Sequence, residues 1–113
     1  MVLSAVPSFA DVPDSQKPEV EHLLTFVRNT DCKFERNGTM YDGGRAYSHI
    51  NKKYGYFRDE ITSTETFIEY SATKSTMSGK FYFVHCADSE PVKSGDWLLR
   101  ELINFRGQSK SNR

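Results

Sequence analysis

The chain lacks any apolar run near the roughly 20 residues a helix needs to cross a bilayer, so a spanning helix is excluded and no membrane insertion is expected. It also lacks an excess of charge: 15 Lys and Arg stand against 15 Asp and Glu. The basic residues are scattered and form no stripe, so no nucleic-acid partner is expected. Only two cysteines and three histidines are present. Their spacing gives no C-x-x-C, H-E-x-x-H or H-x-x-x-H, so neither a metal site nor a thioredoxin-like redox pair is expected. G-x-S-x-G is missing, and Gly43-Gly44 lacks the lysine and spacing of a phosphate loop. No cofactor is expected, and no catalytic set can be assigned from motifs.

What is present fits one small domain. At 113 residues, with 37% hydrophobic and 13% aromatic side chains, the chain can build a modest, ring-rich core. Residues 1–17 turn from apolar to polar and proline-rich, and two readings stand for them. Ser8-Phe9-Ala10 before Asp11 has the small residues of a signal-peptidase site, so the stretch could close an export signal whose first part is missing. Otherwise it is an ordinary disordered leader. The domain is expected over 18–106 and a flexible tail over 107–113.

Helix periodicity is clear in four places. Pro18 suits the first helical position, and Val20, Leu23, Leu24 and Val27 form one apolar stripe ending near Asn29. Asp42 is placed to cap a long helix with Tyr47, Ile50, Tyr54, Phe57 and Ile61 on one side, interrupted by Gly55. Thr62 and Glu65 have capping-box spacing for a short helix. Ser94 opens a last helix with Trp97, Leu98, Leu102 and Phe105 inward, and Gly107 is placed to stop it.

Two segments alternate as strands. "CKFER" puts Cys32, Phe34 and Arg36 on one face and ends at Asn37-Gly38. "KFYFVHC" puts Tyr82, Val84 and Cys86 on one face. The expected fold is therefore α+β, about four helices packed on a two-stranded antiparallel sheet. With antiparallel pairing, Cys32 at the start of one strand lies beside Cys86 at the end of the other. A bridge between them and two buried free thiols are both open on this evidence.

"EVEHLLTFV", "C-x-F-x-R-N-G-x-x-Y", "A-x-x-H-I-x-x-K-Y", "SGKFYFVHC" and "SGDWLLREL", taken in order, resemble the YfeK-like family, small exported proteins of Gram-negative bacteria with no assigned activity. The likeness runs from about Glu19 to Phe105. Its motif positions here include Cys32, Phe34, Arg36, Asn37, Gly38, Tyr41, His49, Lys53, Tyr54, Cys86 and Trp97. The resemblance implies a periplasmic protein and favours the Cys32–Cys86 bridge.

The candidate site gathers around the Asn37–Tyr41 turn and the helix after it. Arg36, Asn37, Tyr41, His49 and Lys53 form the expected binding face, because polar and aromatic residues cluster there at a loop beside a rigid element. The expected role is a non-catalytic periplasmic binding or interaction protein, its partner a protein or small ligand of the cell envelope. The alternative is a small enzyme using His49 as acid or base near Asp42 or Lys53. Asp42 and His49 lie two turns apart on one helix, about 10 Å by rise per residue, which weakens that alternative. A purely structural envelope protein is the third reading.

Overall fold

The computed structural model describes residues 11–111, with side chains to residue 108. Helix α1 (Lys17–Asn29) carries Pro18 in its first turn, where the missing N–H leaves nothing unpaired. Its expected stripe is the face that packs: Val20, Leu23 and Val27 are buried and Leu24 joins the core edge.

The chain then enters strand β1 (Lys33–Arg36) and reverses at Asn37 and Gly38, whose φ angles of 52° and 82° suit a two-residue hairpin turn. Strand β2 (Thr39–Tyr41) returns antiparallel, with Tyr41 opposite Phe34. Strand β3 (Phe83–His85) pairs antiparallel with the other side of β1, placing Val84 opposite Phe34. Strand β4 (Val92–Lys93) pairs with β3. The sheet thus has four strands in the order β2-β1-β3-β4, not the two expected. The two extra strands have three and two residues, too few to show a period of two. They exist through pairing with the strands that are legible.

Cys32 and Cys86 flank the β1–β3 pair and form a disulfide that closes a span of 54 residues. In the chain-entropy account a loop of that length stabilises the fold by roughly 4 kcal/mol.

Helix α2 (Gly43–Tyr56) starts with Asp42 accepting a hydrogen bond from the Arg45 N–H at 2.9 Å. Gly43 is demanded by packing. A Cβ there would run into the carbonyl oxygen of Val27 and lie 3.1 Å from those of Arg28 and Thr30. That absence of side chain lets α2 begin against the end of α1. No close contact surrounds Gly55, and the helix ends one residue later. The stripe nevertheless reaches the core at Ile61, after a 3-10 turn at Arg58–Glu60. The next cap also shifts by one residue: Ser63, paired with Thr66, opens α3 (Thr64–Ala72), while Glu65 turns to Arg106.

Helix α4 (Ser94–Ser111) buries Leu98 and Leu102 and runs through Gly107 without stopping, so residues 107–111 of the expected tail are helical. A glycine costs a helix about 1 kcal/mol, and no proline follows to end it. The leader is corrected in the same way. Val12 is only 3% exposed within the core, Asp14–Gln16 form a 3-10 turn, and the Gln16 side chain accepts hydrogen bonds from Thr64. Residues 1–10, on which the export-signal reading falls, lie outside the described residues.

Candidate functional site

Between the sheet and α2 lies a cleft of about 370 Å³. Strand parity builds one wall. Phe34 and Arg36 share a face of β1, and the register sets Tyr41 and Val84 on either side of Phe34. Tyr82, two residues before Val84, continues the same face. The other wall is α2, where Arg45, His49 and Lys52 recur at i, i+4 and i+7 beside the apolar stripe. Buried Phe34, Ala46 and Ile50 form the inner lining, and Ser48 and Lys52 stand at the exposed mouth.

Tyr41 is in contact with two guanidinium groups. Arg36 Nη2 donates to its hydroxyl at 3.3 Å, and the Arg36 and Arg45 guanidinium carbons lie 5.1 and 5.5 Å from the ring centroid. This fixes Arg36 at the cleft through cation–π attraction as well as a hydrogen bond.

A polar chain runs behind that wall. The Lys53 ammonium, in a residue only 8% exposed, donates to the Lys74 carbonyl at 2.8 Å and to the Tyr82 hydroxyl at 3.2 Å. His49 Nε2 is 3.0 Å from the same hydroxyl. Lysine can only donate, so the Tyr82 oxygen accepts from Lys53 and its proton is free to go to His49. That order requires a bare Nε2, with the imidazole proton on Nδ1. Burial, followed by the positive charges of Arg36, Lys53 and Lys52, pushes His49 down to about 4, so the ring is neutral at pH 7. Burial and then Arg36 also lower Lys53, and burial raises the Tyr82 phenol above its ordinary value.

Cations dominate the cleft. Among the described residues, Arg36, Arg45, Lys52 and Lys53 meet no carboxylate within ion-pair distance. The cleft has one carboxylate in its lining, Glu35, and that is 2.7 Å from His85 Nε2.

The structure separates the five residues of the expected face. Arg36, Tyr41 and His49 line the cleft, and Lys53 supports it from behind Tyr82. Asn37 belongs elsewhere: its side chain donates to Ser75 Oγ and accepts from Ser78 Oγ at 2.7 Å, tying the hairpin to the turn before β3. Asp42 spends its carboxylate on the helix cap and does not line the cleft. Tyr82, Arg45 and Lys52 escaped sequence reasoning. The helical spacing of 45, 49 and 52 was the available signal, as was a tyrosine hydroxyl on a buried strand face, which needs a partner. Among the described residues no group of three His, Cys, Asp or Glu could hold a metal ion, and no helix is long and apolar enough to cross a membrane.

Comparison with known proteins gives two matches. Residues 14–106 match the model of a Family of unknown function (DUF5329). The chain is also 31% identical over 82 residues to the Uncharacterized protein YfeK of Salmonella typhimurium, covering 72% of this chain and 68% of that one. No solved structure matches. The chain belongs to the DUF5329 family, in agreement with the resemblance read from its motifs.

Proposed function

We propose that this family member is a non-catalytic binding protein of the bacterial periplasm, and that the cleft between α2 and the β1–β2 hairpin is where its ligand or partner sits. One observation carries the reading: an open cavity of about 370 Å³ with buried apolar lining, whose cations form no ion pair with a carboxylate among the described residues. Volumes of this size are usual for small-molecule sites, which pair an apolar lining with a few placed polar groups.

The periplasm is supported by the Cys32–Cys86 bridge, since such bonds persist in oxidising compartments, together with the likeness to an exported family. Fractionation of cells making the full-length protein checks this. Release by osmotic shock is expected; recovery only from the cytosol overturns it.

The cleft itself is tested with Ser48→Trp, which places a large ring at an exposed mouth position without entering the core. A fragment library observed by NMR should give binders to the wild-type chain that the variant loses. Finding no binders, or binders indifferent to the substitution, removes the assignment.

A second reading has one observation in its favour: His49 lines the cleft, and its pKa is displaced. Its partner is the neutral Tyr82 hydroxyl, however, with no carboxylate among the lining residues near it to hold an imidazolium. As a general base at neutral pH it would be weak, because catalytic efficiency favours a pKa near the working pH.

A further inference from the structure

The chemistry of the cleft walls narrows what can occupy it. Its inner lining is Phe34, Ala46 and Ile50, flanked by the Tyr41 and Tyr82 rings, and offers an occupant mainly carbon surface. Toward solvent it presents Arg36, Arg45 and Lys52. Among the described residues the one carboxylate in the lining is Glu35, which is engaged by His85. The arrangement differs from a phosphate cradle. The first turn of α2 is already capped by Asp42, so the backbone N–H of Arg45 is taken and a carboxylate lies at the position a phosphate would seek. Guanidinium forks match a planar carboxylate in two parallel hydrogen bonds, and Arg36 is held in place by Tyr41.

From these walls we infer that the cleft recognises a monoanionic carboxylate attached to a compact apolar or aromatic body, with Arg36 and Arg45 holding the carboxylate and Phe34, Ile50 and Tyr82 receiving the body. This deepens the binding-protein reading and rests on it. Two sources present such a group: a free aryl-alkyl acid, or the C-terminus of a peptide ending in an apolar residue.

The test is calorimetric titration of the full chain at low salt with 3-phenylpropionate, its neutral amide, inorganic phosphate, and a short peptide ending in Phe with a free or amidated C-terminus. The carboxylate of at least one source should bind about tenfold or more tightly than its amide. Arg36→Gln and Arg45→Gln should each weaken that carboxylate about fivefold or more and leave the amide alone. Arg45 is exposed, so its variant keeps the test informative should Arg36→Gln disturb the hairpin. Binding by the acid alone assigns a free small molecule, and binding by the peptide alone assigns a chain end; either supports the inference. Equal affinity for acid and amide, equal affinity for phosphate, or indifference to both Arg substitutions overturns it. If the amide binds as tightly as the acid and Ser48→Trp abolishes both, the cleft survives as a binding site while the anionic ligand is ruled out.

Discussion

Two regions of this molecule use positive charge in opposite ways. Where α1, α3 and α4 meet, Arg106 is gripped by Glu19 through Nε at 2.8 Å and Nη2 at 2.9 Å, and by Glu65 through Nη1 at 2.8 Å. These bonds pull Glu19 and Glu65 below their ordinary values and raise Arg106. Nearby, Arg58 and Tyr54 both donate to Asp11, which fastens the start of the described chain to α2. At the cleft, Arg36 and Arg45 face the Tyr41 ring, and the Lys53 ammonium behind them meets a carbonyl and a phenol hydroxyl. Paired charge at the first region joins elements distant in sequence. At the second, the cations meet neutral oxygens and rings, and none is within ion-pair distance of a carboxylate among the described residues. The same residue types therefore form a staple in one place and, in the other, the surface proposed above for recognition.

The largest effect expected belongs to neither region. Reducing the Cys32–Cys86 bridge should cost roughly 4 kcal/mol by the loop-closure account, read as a fall in the urea midpoint. A shift of less than about 1 kcal/mol would mean that the charge staples, and not the bridge, hold the ends together.

The cleft should reveal itself through pH. An unfolded histidine takes up a proton near pH 6.5, whereas folded His49 resists until about 4. Between those values the unfolded chain binds more protons, so stability falls as pH drops through the window. Allowing for the half-open position, the difference between wild type and His49→Gln should reach about 2 kcal/mol on going from pH 7 to 4. Parallel stability curves for the two proteins would show that the imidazole is not held neutral.

The smallest and most direct comparison sets Arg106→Ala beside Arg45→Ala. The first should lose about 1–2 kcal/mol, since Arg106 forms a bidentate pair yet is partly exposed and screened. The second should change stability by no more than about 0.5 kcal/mol. Equal losses in thermal unfolding would erase the distinction between the two regions.

Much of this was visible in the residues. The buried stripes of α1 and α4 and the β1–β3 pair follow from local period; the bridge was one of two readings that the strand ends left open, and the family resemblance favoured it. Strand β2 was hidden because Asn37-Gly38 reads equally well as the end of a strand and as the turn of a hairpin. Only pairing with β1 decides, and Thr39–Tyr41 is too short to declare itself. The cleft was half legible. Arg36, Tyr41 and His49 stood out as a local cluster, but Tyr82 sits just before β3, 33 residues beyond His49, and needs the β1–β3 register to place it. Residues 11–16 were misjudged because their bonds run to Tyr54, Arg58 and Thr64, far along the chain.

Tyr82 has one more consequence. Its N–H donates to the Thr73 carbonyl and its own carbonyl accepts from the Ser94 N–H, each at 2.9 Å, while its ring borders the cleft. One residue thus fastens the end of α3 and the start of α4 while its hydroxyl reaches Lys53 and His49 on α2. The wall of the cavity and the joint that ties three helices together are thus one and the same side chain and peptide.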